Sequence, residues 1–382
     1  MAAELIPLLP VPLDQLVIPD ELDGRHGVNR APASIGKLIV ADTDLAAINA
    51  WLVEFAHSPQ TQRSYRKEAE RLLLWGLLER GKPLSSLLRE DLQAYEAFLA
   101  DPQPRARWCG SRVLRYSEHW RPFEGPLSAS SQRQALVIIN ALFTHLVNAG
   151  YLLGNPLALM RRRRSASISQ SQTIERFLEQ ELWQAVLDHI EQLPKETPRQ
   201  VQHYERTRFL FALLYLLGPR VSEVASHTMG SFAEIRGRWW WKVRGKGGRE
   251  ERVPVNADML AALSRYRQFH GLPPFPSPDE TRPLLLSITG RGGISSNMIY
   301  RLVKQTVIRA ADALEATEPH RAAKLREASP HWLRHTFVTH QADAGIELRH
   351  LNKSARHRKL ETTAIYLHAD ETAWHSSIER HR

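Results

Sequence analysis

The residues after Ser329-Pro330 combine two histidines and an arginine at helical spacing. Proline suits the first turn of a helix because no backbone donor is lost there, so this pair predicts a helix start. His331, Arg334 and His335 stand at i, i+3 and i+4, which places them on one helix face. Imidazole and guanidinium groups on one face suit an anionic tetrahedral group such as a phosphate. The alternative is a solvated polar face whose apolar neighbours pack on the core.

Other basic residues and one tyrosine extend this pattern along the chain. They are Arg220 in the stretch 218–224, Lys246 in the glycine-rich stretch 245–255, and, after a predicted helix end at Gly345, His357 and Tyr366. In this order and with these gaps, the motifs resemble those of the tyrosine recombinase (phage integrase) family, from roughly residue 45 to the C-terminus. The chain departs from the family pattern at Pro219, where a bulky aliphatic residue is usual, and at Ala355-Arg356, where Leu-Gly is usual.

The resemblance implies a DNA strand transfer that needs neither a metal ion nor another cofactor. Tyr366 would attack the scissile phosphorus, forming a 3′-phosphotyrosyl link and releasing a 5′-hydroxyl, so that rejoining needs no ATP. Lys246 is expected to protonate the leaving oxygen, His331 to accept the tyrosine proton, and His357 to hydrogen-bond the phosphate. The implied catalytic set, in which both arginines neutralise the transition state, is Arg220, Lys246, His331, Arg334, His357 and Tyr366, with Glu223 and His335 in support.

Hydrophobic spacing predicts helices along most of the chain and short strands in its second half. The helices are expected near 44–56, 58–80, 89–99, 128–149, 179–192, 204–217, 260–269 and 296–314, and the strands at 239–243 and 251–255. The predicted fold is therefore mainly α with a small antiparallel β-sheet. The resemblance implies an N-terminal helical core-binding (SAM-like) domain and a C-terminal mixed α/β catalytic domain, which together form a C-shaped clamp on DNA.

Changes in composition predict the domain boundaries. Prolines interrupt the first stretch, and four arginines followed by small polar residues mark a linker. The expected parts are an extended N-terminal arm at 1–42, the helical DNA-binding domain at 43–160, the basic linker at 161–173, and the catalytic domain with its C-terminal tail at 174–382.

Several polar residues outside the catalytic set are predicted to contact DNA phosphates. Some lie where the family's first domain usually meets DNA, four form the basic run of the linker, and one precedes a helix start. They are Thr61, Arg63, Tyr65, Lys67, Arg161, Arg162, Arg163, Arg164 and Arg291. A solvated surface is the alternative for each of them. Each phosphate neutralised adds about −0.9 to the salt slope of DNA binding, so the linker is testable by salt dependence.

Composition favours a polyanionic partner and a reducing compartment. The formal net charge is +10, Cys109 is the single cysteine, and no apolar run approaches the length of a membrane span. The chain is expected to be cytoplasmic, bacterial and nucleoid-associated, without membrane contact. Its expected partners are double-stranded DNA recombination sites and copies of itself, a dimer per site and a tetramer in the synapse, joined through the C-terminal tail. Accessory DNA-bending or directionality factors are left open.

Three alternative functions remain at this point. The same fold could relax DNA as a type IB topoisomerase, although the tail after Tyr366 argues for contacts between protomers. It could also bind DNA without catalysis, against which the intact set of six argues. From another class, His331, His335 and His340 could hold zinc, but no cysteine or well-placed carboxylate completes a tetrahedral site.

Overall fold

The computed structural model describes residues 9–32, 34, 36–160, 176–245, 250–290, 292–356 and 363. The chain divides into two compact units, residues 1–165 and 166–382. Both are built mainly of helices, and the second contains a small antiparallel sheet, which confirms the predicted fold class. Among the residues described, no helix is both long and apolar enough to cross a membrane.

The first unit is a helical bundle with an aromatic core. Its helices are α1 (Asp44–Val53), α2 (Pro59–Glu79), α3 (Arg89–Ala100), the short α4 (Arg105–Trp108) and α5 (Ala129–Asn148). The long helices α2 and α5 pack on each other, and both contact α1. Buried leucines and aromatic rings alternate at helical spacing on their inner faces, which is why these segments fold as helices. The predicted boundaries differ from the observed ones by a few residues at each end.

The segment before α1 packs on this bundle, which differs from the extended arm expected at 1–42. Leu13 is buried, and its amide donates to Glu70 Oε2 at 2.9 Å. The amide of Asn29 donates to the carbonyl oxygen of Ser85 at 2.9 Å, and the amide of Ala31 donates to that of Tyr151 at 3.1 Å. Apolar side chains between the prolines therefore pack on the core. This packing orders the backbone of a segment that contains no long helix.

The second unit surrounds its sheet with helices. Its elements are α6 (Gln180–Glu191), α7 (Pro198–Leu216), α8 (Val221–Ser226), β1 (Phe232–Ile235), β2 (Arg238–Arg244), β3 (Glu250–Pro254), α9 (Ala257–Phe269), α10 (Ser296–Leu314), α11 (Pro319–Glu327), α12 (Pro330–Asp343) and α13 (Leu348–Ala355). α10 packs against α6, α8 and α11, while α7 packs against α9 and α12. α12 begins at Pro330, as the Ser-Pro pair predicted, and its C-terminal turn leads into Gly345.

The strands of this unit pair antiparallel in the order β1-β2-β3. Trp241 of β2 lies opposite Phe232 of β1 and Val253 of β3, and all three are buried. The predicted strands at 239–243 and 251–255 correspond to β2 and β3, whereas β1 was not predicted. Its four residues are too few for a clear alternation of apolar and polar side chains.

Candidate active site

The turn between α7 and α8 positions Arg220. This residue immediately precedes α8, and its side chain is 46% exposed. Its amide donates to Glu223 Oε2 at 2.7 Å, and its Nη1 donates to Glu223 Oε1 at 2.8 Å. Burial raises the pKa of Glu223, but the charges of Arg356 and Arg220 and the Arg220 amide outweigh it and hold the pKa below its usual value. Glu223 is therefore an anion at neutral pH and fixes the Arg220 guanidinium.

Gly218 permits the close packing of this turn against α12. Its φ of +54° is a left-handed conformation that glycine adopts without steric cost. A Cβ atom at this position would lie 2.3 Å from Cδ1 of Phe337, whose side chain is buried. The turn carries Arg220 and α12 carries Arg334, so this contact packs together the two segments that carry the arginines.

We expect Gly218→Ala to destabilise the second unit by about 2–5 kcal/mol, the sum of left-handed strain and overpacking. Gly345→Ala is the matched control, because Gly345 has φ +79° but open space at the Cβ position. It should therefore show only the strain, about 1–2 kcal/mol. Calorimetric unfolding of the full chain measures both. Equal losses for the two variants would mean that Phe337 moves aside without cost.

The buried side chain of Arg334 links the turn after α7 to the last residue of α13. It lies on α12 and is only 5% exposed. Its Nη1 donates to the carbonyl oxygen of Gly218 and its Nη2 to that of Ala355, the last residue of α13. The structure thus brings Arg334 to the turn that carries Arg220, although the two arginines are far apart in sequence.

The two histidines of the predicted face are neighbours on α12. Their rings lie 4.3 Å apart, edge to face. His331 reaches the surface, whereas His335 is half-buried. Partial desolvation lowers the pKa of His331, and the positive charges of Arg334, Arg176 and Arg220 lower it further. At neutral pH the His331 ring is therefore uncharged and able to accept a proton.

His340 does not join the other two histidines in a metal site. Its Nε2 lies 2.9 Å from the carbonyl oxygen of Leu178 and its Nδ1 lies 3.0 Å from the hydroxyl of Tyr215. Both ring nitrogens are thus engaged in hydrogen bonds within the core. In the described part of the chain, no group of three or more histidine, cysteine or carboxylate side chains could hold a metal ion.

The remaining predicted catalytic residues, Lys246, His357 and Tyr366, lie outside the described residues, as do Arg291 and the four arginines at 161–164. Their flanks are described. β2 and β3 pair up to Arg244 and Glu250 on either side of the stretch that contains Lys246. Thr363, shortly before Tyr366, is buried, and its hydroxyl accepts from Asn352 Nδ2 on α13 at 3.0 Å.

The predicted DNA contacts of the first unit follow the first turns of α2. Arg63 and Lys67 are exposed, and Lys67 Nζ lies 3.1 Å from Glu68 Oε1. The Thr61 hydroxyl hydrogen-bonds with that of Ser58 at 2.8 Å. Tyr65 stacks on Trp51 with ring centroids 5.1 Å apart, so its ring is part of the core packing, and its contact with DNA stays a prediction. The structure therefore leaves two cations of this set facing solvent.

Sequence reasoning missed one residue at this site. Arg356 follows α13 and pairs with Glu223, and its side chain is completely buried. The departure from the family pattern at Ala355-Arg356 could have indicated this residue. An arginine in place of glycine adds a positive charge next to the predicted catalytic residue His357.

Comparison with known sequences identifies relatives along most of the chain. The sequence model of the phage integrase family matches residues 177–373. A tyrosine recombinase XerC of Pelobacter propionicus is 30% identical over 240 residues, which are 63% of this chain and 68% of that protein. A tyrosine recombinase XerC of Xylella fastidiosa is 28% identical over 318 residues, 83% of this chain and 89% of that protein.

A solved structure shares the fold. The XerH site-specific recombinase bound to a difH substrate superposes with a TM-score of 0.57 at 15% identity, covering 87% of this chain and 83% of that one. At this level of identity the likeness concerns the fold alone.

Proposed function

We infer the function of this chain from the family to which it belongs, the phage integrase family of tyrosine recombinases. We propose that it binds double-stranded recombination sites and cuts and rejoins their strands through a phosphotyrosyl link at Tyr366. The relatives are named recombinases, which favours this reaction over topoisomerase-like relaxation and over DNA binding without catalysis. The proposal requires no cofactor, because the phenol supplies the nucleophile and cations supply the charge stabilisation.

The observation that carries the proposal is that Arg334 binds the turn that precedes Arg220, with His331 three residues before Arg334 on α12. Arg334 donates to the carbonyl of Gly218, two residues before Arg220, and the charges of both arginines lower the pKa of His331. Two guanidinium groups can stabilise the extra negative charge of a pentavalent phosphorane. A neutral imidazole can accept the proton that leaves the nucleophile.

In the proposed reaction each residue has one task. The Tyr366 oxygen attacks phosphorus as His331 takes its proton, and the bond from phosphorus to the 5′ oxygen breaks as Lys246 protonates that oxygen. Arg220 and Arg334 neutralise the non-bridging oxygens, and His357 donates a hydrogen bond to one of them. Rejoining reverses these steps, with the 5′-hydroxyl as nucleophile.

Covalent capture tests the reaction and identifies the target sequence in the same experiment. A nicked duplex library with a randomised segment is incubated with the full chain in EDTA, and protein-linked DNA is recovered after denaturation in SDS. We expect an adduct joined through a 3′-phosphate to a peptide that contains Tyr366, and sequencing the captured DNA identifies the site. Strand cleavage that depends on magnesium and yields no adduct would contradict the proposal.

The cleavage rate should fall at acid pH as His331 becomes protonated. Because the pKa of His331 lies below its usual value of about 6.5, the midpoint of the acid limb should also lie below about pH 6.5. High salt screens the arginine charges and should move the midpoint upward. Single-turnover cleavage of the captured duplex across this range measures both effects.

His331→Gln supplies the control for this assignment. Loss of a general base costs about 10²–10⁴-fold, and the acid limb should disappear with it. His320→Gln changes an exposed histidine on α11 and should leave the rate and the limb as they are. An unaltered acid limb in His331→Gln would assign the proton transfer to another group.

The proposal includes an assembly and a location. A dimer on each site and a tetramer in the synapse would join through the C-terminal tail, and the protein would act in the bacterial cytoplasm at the nucleoid. The basic linker at 161–173 would follow the phosphate backbone. Crosslinking on the captured duplex, with and without the residues after Tyr366, tests the role of the tail.

A further inference from the structure

The backbone at Arg356 has a conformation that favours glycine. Its φ and ψ are 52° and 45°, the left-handed region, and its amide donates to the carbonyl of Lys353 at 3.1 Å to close α13. A side chain with a Cβ adopts this conformation at an energetic cost, whereas glycine does not. Interactions of the Arg356 side chain must therefore offset the energetic cost of its backbone conformation.

The side chain of Arg356 makes such interactions in the interior. It is 0% exposed, and its Nη2 lies 2.7 Å from Glu223 Oε2 and 3.4 Å from the carbonyl oxygen of Gly218. Its guanidinium carbon lies 5.6 Å from the centre of the Trp241 ring. A buried guanidinium of this kind is stable only beside a carboxylate, so Arg356 and Glu223 depend on each other.

Glu223 joins Arg356 to Arg220. One carboxylate oxygen receives Arg220 Nη1, and the other receives both Arg356 Nη2 and the Arg220 amide. The Arg356 carbonyl lies 3.5 Å from Arg220 Nη2. Two of these side chains are buried, whereas that of Arg220 is 46% exposed. The buried pair thus anchors Arg220, whose side chain is partly exposed to solvent.

We propose that Arg356 is a positioning residue for strand cleavage, which holds Glu223 in place and thereby orients the Arg220 guanidinium toward the scissile phosphate. The inference rests on the proposed function, in which Arg220 contacts that phosphate. A guanidinium on a rigid base loses less conformational freedom when it binds the transition state than one on a mobile side chain. This role differs from a contribution to stability alone, because Arg356 would affect the cleavage rate through the orientation of Arg220.

Arg356→Gly removes the ion pair and also removes the backbone strain. Single-turnover cleavage at saturating DNA should slow by about 10–100-fold, the range observed when partners that orient metal ligands are lost. DNA affinity should change little, whereas the unfolding midpoint should fall, because the loss of a buried ion-pair partner outweighs the relief of backbone strain. Arg356→Lys keeps the charge and should recover most of the rate. Arg349→Ala, which removes an exposed arginine from the same helix, should cleave like the unmodified chain.

The deciding measurement repeats the substitution in an Arg220→Ala background. If Arg356 acts through Arg220, Arg356→Gly should slow the Arg220→Ala chain by less than about threefold. A full, multiplicative loss in that background would overturn the proposal, as would an unchanged rate for Arg356→Gly alone. If Arg356→Gly does not fold, Arg356→Asn removes the same charge with a side chain that tolerates the left-handed conformation, and the same two outcomes decide. An unmodified chain that forms no adduct refutes the proposed function instead.

Discussion

Tyr366→Phe is expected to abolish strand cleavage while the chain still binds the captured duplex. Removing one hydroxyl removes the nucleophile, and loss of a nucleophile costs about 10⁴-fold or more in rate. The phenyl ring keeps the shape of the side chain, so DNA affinity should change little. Adduct formation in EDTA and gel-shift titration measure the two effects on the same DNA.

Tyr300→Phe is the matched control for this prediction. Tyr300 lies on α10 in the same unit, and its side chain is 47% exposed. Its loss should affect neither cleavage nor binding. An adduct formed by Tyr366→Phe would show that another residue attacks the phosphate, and the chemistry proposed for the whole set would then be wrong.

Arg220→Ala is expected to slow cleavage by about 10²–10³-fold, or about 2.7–4 kcal/mol, as does the loss of one donor from an oxyanion hole. Arg220 is a sharper test than Arg334, because its side chain is exposed while Arg334 also ties the carbonyls of Gly218 and Ala355 together. Single-turnover cleavage gives the rate, and calorimetric unfolding should show little loss of stability. The effect should therefore lie in the chemical step.

Arg321→Ala provides a control of similar exposure. Arg321 lies on α11, pairs with Glu318 three residues before it, and is 50% exposed, compared with 46% for Arg220. Its loss should leave cleavage unchanged. An uncharged methylphosphonate at the scissile position should shrink the loss in Arg220→Ala, because less charge then needs neutralising. A loss of equal size on both substrates would place Arg220 away from the phosphate.

Local patterns predicted most of the elements that carry the site. Ser329-Pro330 marked the start of α12, and Gly218-Pro219 marked the turn before Arg220. The start of α7 was predicted too late, near residue 204, although Thr197-Pro198 with Gln200 is a capping box that signals it. α11 was missed because its nine residues carry few apolar side chains.

The sequence by itself determined the fold class, the family and the face of α12 that carries His331 and Arg334, because periodicity and motif order depend on neighbours along the chain. Only the tertiary structure decided which partners these residues meet. Arg356 reaches Glu223, Arg334 reaches the Gly218 carbonyl, and Tyr65 stacks on Trp51. Such contacts depend on how helices and strands pack, and packing brings together residues whose spacing in the sequence carries no signal of their contact.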